Sequence, residues 1–447
     1  MGFFSLFLVA SMPIIQVLLI GVIGAYLASG FSNVLTTSAR RDMNKVVFTV
    51  FTPSLMFASL AKTVTLEDVI SWWFMPVNIA ITFLIGGILG WIACYILKPP
   101  QHFRGLIMAF CSAGNLGNLL LIIVPAVCDE NGNPFGKDRS ICRSRGISYS
   151  SLSMALGGLF IWTYTYSLMQ KSGKLYHKMQ SKSIQCPADS DEEHSPQLAK
   201  GDGPAAYNDE ETPLPTSVKP DEHGDENPME APLLSCESYV ADKGFWTNIK
   251  DTVQQFVEEL MAPPTISAII GFVVGLVPWL KSLIIGDGAP FKVLQDSLQL
   301  MGDGTIPCIT LILGGNLTQD SAAHRVDLGT APCSETETAL NVRAGHRKSG
   351  LSRTVIFTIV CIRFVILPLI GIAVVHAAYG VGFLSHDPLY RYVLMVQFAL
   401  PPAMNIGTMS QLFDVGQEEC SVIFLWTYLV AAVALTTWST IFMSILS

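Results

Sequence analysis

Charge is what this sequence has least of. Only 14% of its 447 residues are Asp, Glu, Lys or Arg, against roughly 25% in a soluble domain. Half of the chain is hydrophobic and the mean hydropathy is +0.45, which excludes a soluble globular fold. A basic stripe interleaved with aromatics is missing too, and nucleic acid is set aside as a partner. Enzyme signatures are absent: there is no Gly-x-Ser-x-Gly, His-Glu-x-x-His, P-loop or Cys-x-x-Cys, and His102, His376 and His386 do not cluster. The one calcium-like spacing, Asp129, Asn131 and Asn133, has Pro134 where the loop needs glycine and Ser140 where it needs glutamate. No enzyme activity, cofactor or metal site is expected.

What the chain has instead is apolar runs of 18 residues or more, each long enough to cross a hydrocarbon core of roughly 30 Å as a helix. The alternating segments of about ten residues that mark a membrane barrel do not occur. The expected fold class is an all-α integral membrane protein of ten transmembrane helices. The spans are placed near 10 to 29, 43 to 61, 72 to 97, 104 to 127, 148 to 170, 262 to 285, 293 to 315, 353 to 379, 389 to 412 and 420 to 446. The N-terminus has no positive n-region and reads as a retained first helix, and Leu6 rules against myristoylation of Gly2.

Residues 171–250 break the pattern. They are rich in proline and acid (Pro187, Pro196, Asp191, Glu192, Glu193), too polar to fold by burial, and are expected to form a disordered acidic loop. The net charge of -8 therefore describes a loop more than a binding face. Arg40, Arg41, Lys98, Arg104, Arg343, Arg347 and Lys348 fall on the same side as this loop, which should be the cytosol, with both termini lumenal. Lys137, Arg139, Arg143 and Arg145 fall on the other side and weaken the asymmetry. In that lumenal segment Cys128 and Cys142 are a candidate disulfide, with two free thiols the alternative.

The halves 1–170 and 251–447 echo each other. Gly21 lies eight residues past Pro13, and Gly271 eight past Pro263. Asp42 precedes Pro53 by eleven residues, as Asp296 does Pro307. Arg104, Met108 and Asn118 keep the spacing of Arg391, Met395 and Asn405, and Trp162 and Trp426 each open a Trp-Thr-Tyr triplet. Five spans are an odd number, so a second copy enters the membrane inverted. Inverted repeats are typical of secondary transporters, whose substrate site lies at mid-membrane between the halves.

The fourth span contains Ser112-Ala113-Gly114-Asn115-Leu116-Gly117-Asn118, and the ninth Leu400-Pro401-Pro402-Ala403-Met404-Asn405-Ile406-Gly407. Glycines and paired prolines at this depth break helices, and a break is tolerated only where protein or a watery cavity covers it. Half-helix N-termini there suit a carboxylate, with Asn115, Asn118 and Asn405 as amide donors. Close packing of small residues is the structural alternative. Neither break contains an ionisable side chain, which points to uniport, because coupled carriers use an intramembrane acid or base. Asp42, Asp296 and Asp303 are read as helix caps. Arg363, inside the eighth span, is left without a role.

Several stretches carry a family resemblance: the run around Pro13 and Gly21, Phe51-Thr52-Pro53-Ser54-Leu55-Met56-Phe57, Gly114 to Asn118 ending at Pro125, and the Cys128 to Cys142 loop. Over essentially its whole length the chain resembles the plant PIN-LIKES proteins of the auxin efflux carrier superfamily. The resemblance implies two inverted five-helix repeats with crossed fourth and ninth helices, in the endoplasmic reticulum membrane, moving indole-3-acetic acid out of the cytosol by an elevator-like motion. It also implies that helix pairs one, two, six and seven form the scaffold. In the related PIN carriers an asparagine seven residues before a proline in helix four, and another at the end of helix seven, face the auxin carboxylate. Asn118 with Pro125, and Asn316, occupy those places here. Gly117 stands where those carriers have proline, and their acid and lysine pair in helix three has no counterpart.

The candidate substrate-binding residues are therefore Asn115, Asn118, Asn316, Pro401, Pro402 and Asn405, with Pro53, Leu55 and Met56 from the family-like stretch. Expected partners are a small carboxylate and membrane lipid. A homodimer is left open. A sodium-coupled organic-anion symporter and a non-transporting auxin receptor or scaffold remain the alternatives.

Overall fold

A computed structural model of the protein describes residues 3–129, 134–136, 138–184, 261–286, 288–318 and 351–447. The first half runs through α1 (Phe3–Ala28), α2 (Thr37–Thr63), a short α3 (Leu66–Ser71), α4 (Phe74–Leu97), α5 (Arg104–Ser112), α6 (Asn118–Asp129) and a long α7 over 139–184. The second half contains α8 (Pro263–Leu276), α9 (Pro278–Ile284), α10 (Lys292–Asp303), α11 (Thr305–Asn316), α12 (Arg353–Gly380), α13 (Pro388–Gln397), α14 (Asn405–Leu412) and α15 (Gln417–Leu446). No strand occurs among the described residues; two segments meet in one isolated bridge, Gly114 with Pro402.

Helices start where a side chain can take an orphan amide. Thr36 Oγ1 accepts from the Ala39 amide at 3.2 Å, Thr65 Oγ1 from Asp68 at 3.1 Å, and Asp387 Oδ1 from Leu389 at 2.9 Å. The aspartates expected as caps do other work: Asp42 pairs with Lys45 at 3.0 Å, and Asp303 accepts from Gln299 Nε2 at 2.7 Å, both inside helices.

Proline explains much of the irregularity. A five-residue π turn, Val47–Phe51, precedes Pro53 in α2, and another, Ile362–Ile366, precedes Pro368 in α12. Proline offers no N–H to the carbonyl four residues back and crowds it, so the turn widens. The Phe364 carbonyl released in this way accepts from Trp438 Nε1 at 2.7 Å. Gly304 separates α10 from α11, with Pro307 in the first turn of α11, and Pro278 lies at the sharp bend of 108° between α8 and α9. These breaks divide two expected spans. Among the described residues, four helices, or five with the bent pair, are each long and apolar enough to cross a membrane.

The contacts come in pairs. α1 lies on α11 so closely that a Cβ at Gly314 would overlap the Gly21 carbonyl. α8 lies on the second half of α2, where a Cβ at Gly271 would sit 2.9 Å from the Phe57 backbone. α4 packs on α5 and α12 on α13; α6 packs on α7 and α14 on α15. Buried polar bonds tie the second set together: Asn78 Nδ2 donates to Gln397 Oε1 at 2.8 Å, and Gln397 Nε2 to Ser153 Oγ at 2.9 Å, joining α4, α13 and α7. Outward, Leu19, Val22, Leu84, Trp91, Val293 and Phe357 are each more than half exposed. Such a surface calls for an apolar solvent, as a multi-pass membrane protein provides.

One expected boundary moves. Residues 171–184, assigned to the loop, continue α7, because Ser172 is buried beside Gly105, Gly173 lies against Phe413, and Tyr176 stacks near His102 at 5.2 Å. Tertiary contact outweighs the polar composition of this stretch. The remainder of the expected loop, 185–250, lies outside the described residues.

Candidate substrate site at the helix crossing

α5 stops at Ser112 and α13 at Gln397, each followed by extended backbone before the next helix begins. Pro402 pushes the residue before it out of helical geometry, and neither proline can donate an amide. The two extended segments therefore satisfy each other. The Asn115 amide donates to Pro401 O at 2.8 Å and the Ala403 amide to Ala113 O at 3.0 Å, on either side of the Gly114–Pro402 bridge. Past the crossing, the chain re-enters helix at Asn118 and at Asn405. Two C-terminal and two N-terminal helix ends thus converge.

Arg363 closes one side. It is fully buried, and its guanidinium donates to Cys111 O at 3.1 Å, Ser112 O at 3.3 Å, Leu400 O at 2.5 Å and Pro401 O at 3.5 Å. Gly114 allows this approach, since a Cβ there would lie 2.7 Å from Nη2. Tyr428 closes the crossing from α15: its hydroxyl donates to Pro402 O at 3.0 Å and faces Asn115 Nδ2 at 3.0 Å. A hydroxyl has one proton, and a carbonyl can only accept, so Tyr428 must accept from Asn115. That orients the Asn115 amide and leaves its second N–H free.

On the side of the helix N-termini is a cavity of about 60 Å³, lined by Asn115, Leu116 and Gly117 from one break and Ala403, Met404 and Asn405 from the other. Leu55 and Met56 of α2, Met154 and Ile161 of α7, and Thr305 and Ile306 of α11 complete the wall. The polar side chains are few and neutral. Thr305 is 1% exposed, and its Oγ1 has no hydrogen-bond partner among the described residues. The Asn405 side chain likewise bonds to none of them. Among the described residues, no Asp, Glu, Lys, Arg or His lines the cavity.

The chain matches the family described as Membrane transport protein over residues 9–439. It is 50% identical to Protein PIN-LIKES 7 of Arabidopsis thaliana over 447 residues, covering 100% of both chains. It is also 50% identical to Protein PIN-LIKES 5 over 448 residues, again with 100% of both covered, and 40% identical to Protein PIN-LIKES 3 over 444 residues, with 98% of each covered. The chain belongs to the PIN-LIKES family.

Of the residues expected at a PIN-LIKES substrate site, the crossing gathers Asn115, Asn405, Leu55 and Met56 around one cavity. Pro401 and Pro402 build the crossing without lining the cavity, their carbonyls being used by Asn115, Arg363 and Tyr428. Pro53 is buried at the start of the α-helical part of α2 after its π turn. Asn316 lies elsewhere: it is 2% exposed at the end of α11 and accepts from Gln411 Nε2 at 3.0 Å. The backbone of Asn118 opens α6, beside the cavity residue Gly117. Cys128 and Cys142 are bonded, Cα atoms 5.7 Å apart, and join α6 to α7.

Three contributors escape a reading of the PIN-LIKES sequence. Thr305 follows Asp303-Gly304 at the start of a span and Tyr428 closes the second Trp-Thr-Tyr triplet, but nothing in either stretch aims the side chain at the crossing. Arg363 is visible as an intramembrane charge, but its acceptors are 252 and 37 residues away. A second cavity of about 150 Å³, almost wholly apolar, lies between α1, α11 and α15, and Met404 lines both.

Proposed function

We propose that this protein carries indole-3-acetate or a closely related aromatic carboxylate from the cytosol into the lumen of the endoplasmic reticulum, without a coupled cation. The observation that carries the reading is the cavity at the crossing. Two helix N-termini and the neutral donors Asn115, Asn405 and Thr305 meet a wall of Leu55, Met56, Ile306 and Ile161. The polar end suits a carboxylate and the apolar wall an aromatic ring. Because no acid or base lines it, a charge-coupled cycle lacks its carrier. Membership of a membrane transport family agrees with carriage over mere binding.

Ten spans in two inverted repeats are the architecture we assign to this carrier. The contact of α1 with α11 and that of α8 with α2 support this reading: each joins the first helix of one half to a helix of the other, and each has a glycine of the first helix in it, Gly21 beneath Gly314 and Gly271 against Phe57. The remaining helices pair in the same doubled fashion, so α1, α2, α8 and α11 would form a scaffold against which the crossing slides. α7 is about 70 Å long at 1.5 Å per residue, far beyond the bilayer core. Its far end carries Lys171, Lys174 and Lys178, which favours the cytosol on that side and a cytosolic loop after it.

The test is uptake of labelled indole-3-acetate by proteoliposomes, with and without a sodium gradient, for wild type and Asn115→Ala/Asn405→Ala. Saturable, sodium-independent uptake abolished in the double variant is expected. Uptake no greater than in empty vesicles, from protein shown to be folded, would end the proposal, and a sodium requirement would replace uniport with symport.

A further inference from the structure

Helix dipoles alone do not make this crossing attractive to an anion. Each helix end carries roughly half an elementary charge, positive at the N-terminus and negative at the C-terminus. α6 and α14 bring two N-termini to the crossing, and α5 and α13 bring two C-termini, so the four ends sum to about zero.

Arg363 breaks that balance. Two of its hydrogen bonds go to carbonyls at the end of α5, Cys111 and Ser112, and two to Leu400 and Pro401 in the extended segment that follows α13, so it holds both segments of the crossing. Among the described residues its guanidinium meets no carboxylate, and none of the four ion pairs involves it. A buried charge without a counter-ion is expensive and is normally paired. Here carbonyl dipoles take up the guanidinium, and the two N-termini are left as an uncancelled charge of about +1. That equals the charge of one carboxylate.

We infer that Arg363 is the residue that makes the crossing selective for anions: its charge offsets the negative ends and carbonyls gathered there, at the C-terminus of α5 and in the segment after α13, fixes the extended segments in place, and leaves the N-termini and the Asn115 and Asn405 amides to face a single negative charge. It acts through the backbone it holds, as a positioning residue. The inference rests on the reading of the crossing as a carboxylate site and identifies what gives that site its sign.

The experiment is equilibrium binding to the purified full-length protein of two matched pairs, indole-3-acetate with indole-3-acetamide and benzoate with benzamide. Wild type, Arg363→Gln and Arg363→Lys are compared, with thermal unfolding to show that each is folded. The expected result is that Arg363→Gln lowers the acid-to-amide affinity ratio by about tenfold or more, while Arg363→Lys keeps most of it. A purely structural residue would weaken acid and amide together and leave the ratio unchanged, and that result overturns the inference. Should the Gln variant fail to fold or bind neither ligand, Arg363→Met, which also removes the charge, is read in its place: a ratio lowered by about tenfold supports the charge account, and a ratio as high as in the Lys variant overturns it. Wild type binding benzoate but not indole-3-acetate would remove the auxin reading and leave Arg363 to be tested on the benzoate pair. Wild type preferring neither acid to its amide overturns the inference itself.

Discussion

Replacing Tyr428 with phenylalanine removes one oxygen atom and two hydrogen bonds, to Pro402 O and from Asn115 Nδ2, each 3.0 Å long. Tyr428 is 2% exposed, so the Pro402 carbonyl is left dry, at a cost of about 1–2 kcal/mol. Asn115 borders the cavity and can turn toward it, so its loss is smaller, about 0.5–1 kcal/mol, in line with polar bonds inside membranes. Tyr428→Phe should therefore destabilise by about 2 kcal/mol in total, and Asn115→Ala by about 1 kcal/mol. Because the two share a bond, the double variant should cost about 0.5–1 kcal/mol less than the sum. Unfolding in mixed micelles with increasing dodecyl sulfate measures all three against wild type. Strict additivity, within about 0.3 kcal/mol, would refute the hydrogen bond and with it the deduced orientation of the Asn115 amide. The same variants provide a functional check: freed from Tyr428, Asn115 can rotate, and indole-3-acetate affinity should fall several-fold in Tyr428→Phe.

Thr305→Val removes a hydroxyl that no described residue uses, so unfolding should be unchanged within about 0.5 kcal/mol while carboxylate binding weakens several-fold; a clear loss of stability would show that the hydroxyl has a structural partner. Gly314→Ala forces α1 and α11 apart and should cost about 3 kcal/mol or more, seen as a poor yield of monodisperse protein, whereas Gly380→Ala, facing open space, serves as control and should be neutral. Reduction of the Cys128–Cys142 bond, which spans 14 residues, should remove about 3 kcal/mol and lower the melting temperature, with the Cys128→Ser/Cys142→Ser variant insensitive to reductant. An unchanged melt after both thiols have been titrated would count against that bond.

The two breaks are legible because their cause is backbone chemistry, whereas their crossing comes only with the family resemblance. Pro401-Pro402 and Gly114-Asn115 cannot continue a helix wherever they occur, and their depth in apolar spans limits what can cover them. What covers them was not legible. Tyr428 reaches Asn115 across 313 residues and Arg363 reaches Cys111 across 252, distances over which no periodicity carries information. Asn316 enters only through the family resemblance, and its side-chain oxygen accepts from Gln411 Nε2, another partner that spacing does not reveal. The end of α7 went unseen for a related reason. Ser172 and Gly173 look like loop residues until Gly105 and Phe413 are placed against them. The matches in spacing do not extend to environment: Trp162 is buried, while Trp426, which opens the other Trp-Thr-Tyr triplet, is 50% exposed.

The crossing is held by main-chain bonds and by Arg363 from outside the cavity, so much of the wall has no share in holding it. Asn405 bonds to no described side chain, the Thr305 hydroxyl is unused, and Leu55, Met56 and Ile306 contribute only apolar shape. Evolution can therefore exchange those side chains one at a time, altering which ligand fits, while the crossing itself stays as it was. A family that keeps one chassis and diversifies its cargo is the outcome such a division of labour permits.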